Sequence, residues 1–365
     1  MNLSKLSAIG ACCALVVSCS GDKKAAGLFD PIDYTLTVTD IKDADSTYAY
    51  IYDYDAVLVS RNFDSETLID SALIVDGQAV FDIKGSTAPI LALKLAGGTS
   101  ATRVFPEAGK NTFNFTTNEG SGKIAKIYKA YEDSIKSIYA SANANIPAEG
   151  PERLAFIDSV QALLTKFDQD ALNNNIDNTF GFYQMAVHYD PSDITLNEID
   201  SIVTAHPQFA KSKRIQAIID DCKKFEATSA GHPYADFEIE YNGTTSKLSD
   251  YVKPGEYTLV DFWASWCGPC KRAIAGLKEN YDSLKAKGLN IVGVGVWEDP
   301  EITEAWLAEN PLPWPLILNA QSIPTNLYSI TGIPTLLLIG PDGNIVIRSY
   351  SDEEVLEAFN KAIAG

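Results

Sequence analysis

Between residues 28 and 118 apolar and polar positions alternate, with Tyr34, Leu36 and Val38 set between Thr35, Thr37 and Thr39. Successive side chains of a strand point to opposite faces, so this period predicts half-buried strands. The same reading places strands at residues 73–75 and 79–83 around an Asp76-Gly77 hairpin turn, and others at 90–95 and 112–115. From Lys123 the period becomes helical. Ile124, Ile127, Tyr131, Ile135 and Ile138 form one apolar stripe, and Leu154, Ile157, Val160, Leu164 and Phe167 form another. Pro147, Pro151, Pro191 and Pro207 punctuate these helices. Cys222 shares a stripe with Ile215, Ile218 and Phe225, which makes it a buried core thiol.

A stretch rich in Ser, Gly and Pro at 228–233 marks a boundary. Beyond it strand-like and helix-like runs alternate. Strands are predicted at 258–262, 291–296, 316–318, 335–339 and 345–349, and helices at 271–287, at 301–309 and after Ser351. Glu354, three residues after Ser351, completes a capping-box signature for the last helix. The pattern is that of a mixed sheet with helices on both faces. A chain of 365 residues is too long for one such unit. The expected organisation is a β-rich N-terminal domain at 28–120, an α-helical middle segment at 121–228 and an α/β domain at 229–365.

Composition adds little to this, but charge does. A net charge of −19 disfavours nucleic acid and anionic lipid headgroups as partners, because both would repel the chain. The N-terminus is separate: Lys5 precedes an apolar run, Ala8 to Val17, too short to span a bilayer. The run closes on Ser18-Cys19-Ser20-Gly21, which resembles the lipobox of bacterial lipoproteins. That resemblance implies a signal peptide at 1–18, a lipidated Cys19 and a tether at 19–27. Cys12 and Cys13 would leave with the signal. The alternative is an ordinary secretory signal with an incidental cysteine.

The candidate chemistry lies at Cys267-Gly268-Pro269-Cys270, between an apolar strand and a helix-compatible run. Two cysteines at this spacing can close a small ring, and a helix N-terminus stabilises a thiolate on the first. The spacing could also be half of a zinc site. Structural zinc needs about four ligands, and here no second cysteine pair stands near, while His188, His206 and His232 are scattered. Redox chemistry is therefore the reading, with no metal and no cofactor.

The segment Leu259-Val-Asp261-Phe-Trp-Ala-Ser-Trp266-Cys267-Gly268-Pro269-Cys270-Lys271 resembles the active-site segment of thioredoxin, and Gly332-Ile333-Pro334-Thr335-Leu-Leu-Leu-Ile339 resembles its cis-proline loop. The extra residues between Trp297 and Tyr328 resemble the insertion of the envelope-facing branch, the TlpA/ResA-like thiol-disulfide oxidoreductases of the AhpC/TSA superfamily. The resemblance implies a thioredoxin-like α/β C-terminal domain in which Cys267 attacks, Cys270 resolves and Asp261 exchanges the Cys270 proton. It further implies substrate contacts at Trp266, Gly268, Pro269, Ile333 and Pro334. Gly268-Pro269 and Ile333 are what reducing members carry. Implied partners are disulfide-bearing envelope proteins and a membrane electron donor, with an oligomer possible through the N-terminal half.

Two departures stand out. Thioredoxin's lysine partner for the aspartate is missing from Ile291-Val-Gly-Val-Gly-Val296, Glu298 being the nearest acidic group after that strand, and Ala275 replaces a kinking proline. Ile323-Pro324-Thr325 repeats the cis-proline tripeptide but leads into no apolar strand. A peroxidase would need Pro and Thr or Ser at positions 260 and 264, where Val260 and Ala264 stand. A third alternative is a binding or scaffold lipoprotein with an ancillary dithiol.

Overall fold

The computed structural model describes residues 27–189 and 194–364. The signal segment, Cys19, the tether through residue 26 and Pro191 lie outside them. The chain divides into two compact units, one reaching Tyr189 and resuming over Asp200–Ile218, the other comprising Asp190–Ile199 and Ile219–Gly365.

The first unit opens with strands β1 (Ile32–Thr39) and β2 (Tyr48–Asp53), a short helix α1 (Tyr54–Ser60), then β3 (Leu68–Leu73), β4 (Ala79–Ser86), β5 (Leu91–Leu95), β6 (Thr102–Val104), β7 (Gly109–Asn114) and β8 (Glu119–Gly120). They form two four-stranded sheets, ordered β4-β1-β7-β8 and β3-β2-β5-β6. The alternation in β1 is realised: Tyr34, Leu36 and Val38 are buried with Phe81 from its own sheet and Ile51, Leu91 and Leu93 from the other. The Asp76-Gly77 turn forms, with φ of 51° and 69° at its two residues, as a two-residue hairpin requires. Its strands do not continue as a ladder. Beyond the single bridge Val75↔Gln78, β3 pairs with β2 and β4 with β1, so the turn carries the chain from one sheet to the other.

Helices α2 (Lys123–Asn145), α3 (Pro151–Asn173), α4 (Thr179–His188), α5 (Leu196–Ala205) and α6 (Lys213–Ala227) follow, and the division between units falls within the last two. Ile138 and Ala142 of α2 pack against Val160 and Leu164 of α3. The first turns of the α3 stripe do not bury as its period implies, since Leu154 is 65% exposed and Ile157 43%. Buried Asp55 of α1 accepts hydrogen bonds from Ser212 Oγ (2.6 Å), Lys213 N (2.7 Å) and Arg214 N (3.2 Å). A carboxylate there satisfies the open N–H groups and the dipole at the start of α6.

In the second unit Cys222 is buried, its thiol donating to Ile194 O at 3.5 Å. A hairpin of β9 (Glu238–Tyr241) and β10 (Thr244–Lys247) turns at Asn242-Gly243, both at positive φ. Then come β11 (Tyr257–Trp263), α7 (Gly268–Ala286), β12 (Leu289–Gly295), α8 (Pro300–Glu309), β13 (Leu316–Ile317), α9 (Ile323–Leu327), β14 (Thr335–Ile339), β15 (Ile345–Ser349) and α10 (Asp352–Ala364). The sheet runs β13-β12-β11-β14-β15, parallel among its first three strands and antiparallel at β14 and β15. This is the expected thioredoxin-like α/β arrangement.

Alternation along the central strand sorts the two faces. Leu259 and Trp263 pack with Cys270, Ile274 and Leu277 of α7, Val355 and Phe359 of α10, and Trp306 of α8. Fully burying a side chain such as Val355 or Phe359 contributes about 1.5–3 kcal/mol. Val260 and Phe262 face the other way, onto Phe237, Ile239, Leu248 and Tyr328. Helices on both faces were expected; here the second face is covered by the hairpin segment and only the short α9. The capping box at α10 is rearranged. Ser351 Oγ accepts from Glu354 N (3.4 Å), but the Glu354 carboxylate accepts from Ser349 Oγ (2.5 Å) rather than from Ser351 N.

Candidate active site

Strand β11 delivers the loop Ala264-Ser265-Trp266 to the first turn of α7. That loop is fixed from below. Glu298, which follows β12 and is 8% exposed, accepts from Ser265 N (3.1 Å), Ser265 Oγ (2.5 Å) and Thr303 Oγ1 of α8 (2.7 Å). A buried carboxylate is retained where charge-assisted hydrogen bonds replace its lost hydration. The acidic group noted after this strand thus holds the loop. Nothing in the sequence pattern pairs it with Ser265 and Thr303, because the three meet only when α8 folds back.

Cys267 is the N-cap of α7, with extended backbone, and Sγ accepts from Cys270 N at 3.1 Å. Pro269 lies in the first turn, where a missing N–H costs nothing. Cys267 and Cys270 are joined in a disulfide with Cα atoms 5.3 Å apart. Cys267 retains 3% exposure and Cys270 none, while Gly268 and Pro269 are exposed and Trp266 is 59% exposed, so an incoming sulfur meets Cys267 first.

The loop before β14 completes the surface. Ile333 is half-buried and joined to buried Pro334 by a cis peptide bond, and Ile333 O lies 3.6 Å from Cys267 Sγ. A disulfide sulfur has no proton to donate, so this becomes a hydrogen bond only when Cys267 is a thiol. Ile323-Pro324 is trans and begins α9, which separates it from this role.

Asp261 lies in β11, opposite Gly293 of β12 and Leu336 of β14. Alternation puts it on the face of Leu259 and Trp263, the face that packs with both cysteines. It is 1% exposed, and neither carboxyl oxygen has a hydrogen-bond partner among the described residues. Burial pushes its carboxyl up to about 7, and the charge of Asp352 adds to the rise. The sequence-predicted residues Cys267, Cys270, Trp266, Gly268, Pro269, Ile333, Pro334 and Asp261 are therefore gathered at one end of the sheet. Cys19 lies outside the described residues.

Residues 230–348 match the family model described as AhpC/TSA family. Among curated proteins the chain is 30% identical over 122 residues to thiol-disulfide oxidoreductase ResA of Bacillus subtilis, covering 33% of this chain and 67% of that protein. It is 30% identical over 140 residues to ResA of Geobacillus kaustophilus, covering 38% and 79%. Among solved structures, the thioredoxin domain of a thiol-disulfide oxidoreductase from Bacteroides vulgatus is 25% identical over 37% of this chain and 98% of its own, with a TM-score of 0.33. A thiol:disulfide interchange protein from Bacteroides sp. is 26% identical over 38% and 91%, also with a TM-score of 0.33. With the ResA proteins covered over two thirds or more of their length and the dithiol placed at the start of the helix after the central strand, the chain belongs to the ResA-like thiol-disulfide oxidoreductases.

Proposed function

We propose that the protein is a lipid-anchored reductase of the bacterial envelope, passing electrons from a membrane donor to disulfide-bearing proteins. The observation that carries this reading is Cys267, capping α7 beside Ile333 O, with its sulfur the one an incoming group meets. In the reduced protein the Cys267 thiolate attacks one sulfur of a substrate disulfide. That S–S bond breaks, a Cys267–substrate disulfide forms and the first substrate thiolate leaves. Cys270 then gives its proton to the Asp261 carboxylate and attacks Cys267 Sγ. The mixed disulfide breaks, the second substrate thiolate leaves, and the Cys267–Cys270 disulfide carries the two electrons' worth of oxidation. A membrane donor restores the dithiol.

The reductase direction is supported by Gly268-Pro269 and Ile333, the residues that reducing thioredoxins carry. Val260 and Ala264, both fully buried and apolar, offer no hydroxyl for a peroxide beside Cys267. An insulin-reduction assay with cysteine variants tests the roles. Cys267→Ser is expected to abolish turnover, and Cys270→Ser to accumulate mixed disulfides. Equal trapping by the two variants would overturn the assignment.

A further inference from the structure

Unpartnered donors and unpartnered acceptors meet around one glycine of the sheet. Gly293 of β12 stands in parallel register with Asp261 of β11, on strands that lie about 4.8 Å apart. A Cβ on Gly293 would sit 3.1 Å from Trp263 Nε1 and 3.3 Å from Trp314 Nε1. Trp263 is on the α7-facing side of β11, and Asp261, two residues before it, projects from the same side. Both indole nitrogens therefore lie over the residue next to Asp261, on the face that carries its carboxyl. Trp263, Trp314 and Asp261 are 0%, 4% and 1% exposed. Among the described residues neither indole nitrogen has an acceptor and neither Asp261 oxygen has a donor. An indole N–H can only donate and a carboxylate can only accept, so the two unmet needs are complementary.

The indoles are held from different parts of the chain. Trp263 ends β11 and packs on Trp306 of α8. Trp314 lies between α8 and β13, where Pro313 and Pro315 restrict the backbone on either side of it, and its ring packs on Tyr281 of α7. No cation reaches Asp261 from the elements packed around it. Strand β12 carries no charged residue and β14 presents Leu336. Every lysine, arginine and glutamate of α7, α8 and α10 is exposed, and Glu298 is committed to Ser265 and Thr303. Asp352 of α10, half-buried, rests on α7 with Oδ2 3.0 Å from the point where a side chain on Gly276 would begin, and as a carboxylate it brings no donor.

We propose that Trp314 and Trp263 are positioning residues for the thiol exchange, their indole N–H groups donating to the Asp261 carboxylate when it is charged, in the place that a cation would otherwise fill. Neither indole transfers a proton or an electron. Their role in turnover rests on Asp261 being the acceptor of the Cys270 proton. Before Cys270 attacks, Asp261 is the carboxylate and the indoles donate to it. Once it holds the Cys270 proton it is neutral and no longer needs both donors. Hydrogen bonds to the charged form favour that form, and they oppose the burial that holds Asp261 protonated. Neutral donors do so without the full charge of a lysine, which leaves the carboxyl able to take up and release a proton.

The test is a ¹H–¹⁵N NMR titration of the tryptophan indoles in the full-length oxidised protein, followed beside the ¹³C carboxyl of Asp261. The Trp314 indole proton is expected to move downfield with the same midpoint as the carboxyl, because hydrogen bonds to an ionised acceptor are the stronger ones, and to stop titrating in Asp261→Asn. An indole that does not follow Asp261 in the parent protein overturns the proposal. Trp314→Phe keeps an aromatic ring and removes the donor, and in the folded variant the Asp261 midpoint is expected to rise by at least about half a pH unit. Trp306→Phe, in the same apolar cluster, is expected to leave it in place. An unchanged midpoint in Trp314→Phe, or an equal rise in Trp306→Phe, also overturns the proposal. The pH profile of mixed-disulfide resolution in Trp314→Phe keeps the two readings apart. A carboxyl midpoint that rises while this profile stays in place supports the indole–Asp261 hydrogen bond and removes Asp261 from proton transfer.

Discussion

A carboxyl whose two oxygens both lack hydrogen-bond partners is costly to ionise, and among the described residues Asp261 is in that position on the central strand. The rise of its pKa from 3.8 to about 7 corresponds to roughly 4 kcal/mol of preference for the neutral form. The sign of the stability effect follows. Below about pH 4 the acid is neutral in both the folded and the unfolded chain. As pH rises toward 7 the unfolded chain releases its proton first, so folding stability falls through that window and changes little above it. Asp261→Asn has no proton to lose. Denaturant unfolding of the oxidised proteins at about pH 4 and pH 8 is expected to show the variant gaining on the parent by a few kcal/mol at the higher pH. A difference that does not change between the two pH values would mean that the carboxyl is solvated.

The identity of this residue was legible from its place before Cys267, as were Cys270 and Pro334. The seat of Asp352 on Gly276 was not, because Asp352 lies far along the chain and only the packing of α10 on α7 brings it there. Glu298 was visible as an acidic group after β12, but its hydrogen bonds to Ser265 and Thr303 were not.

Elements were readable where local period and tertiary environment agree. Strands β11 and β14 are buried almost throughout, and apolar apart from Thr258, Asp261 and Thr335, because both faces are covered. Disagreement appears where pairing decides. The Asp76-Gly77 turn was legible from its residue types, yet whether its strands pair with each other or with β1 and β2 is set by residues elsewhere in the chain. The α3 stripe is helical from Leu154 onward, but full burial against α2 is reached only at Val160. Helix α1, seven residues after a strand, is too short to leave a period.

Strand β12 offers a quantitative case, because its two glycines meet different surroundings. A Cβ on Gly293 would lie 2.7 Å from Leu316 Cδ2, 3.1 Å from Trp263 Nε1 and 3.3 Å from Trp314 Nε1. On Gly295 the nearest atoms are 3.7–3.8 Å away. Overpacking a tight core typically costs about 1–3 kcal/mol, so Gly293→Ala is expected to lose that much in chemical denaturation. Gly295→Ala is expected to be neutral or slightly stabilising, since alanine also restricts the unfolded chain. Equal losses at the two positions would show that strand propensity rather than packing governs this edge of the site.

At the scale of the whole molecule, the chemistry and the proposed attachment fall in different parts of the chain. The dithiol, its cis-proline neighbour and the buried carboxylates Asp261 and Glu298 come from residues 261–334, while the proposed anchor is Cys19. Among the described residues no helix is long and apolar enough to cross a membrane. The net charge of −19 repels an anionic headgroup layer, so electrostatic attraction supplies no alternative hold. In the proposed reading the hold is acyl chains at Cys19, each buried CH₂ contributing about 0.8 kcal/mol. Cys19→Ala, expressed in its native host and fractionated, is expected to move the mature chain from the membrane to the soluble fraction while insulin reduction per molecule is unchanged, because the substitution lies far in sequence from Cys267 and Cys270. A Cys19→Ala chain that stays with the membrane through a high-salt wash would refute lipidation at this residue as the anchor.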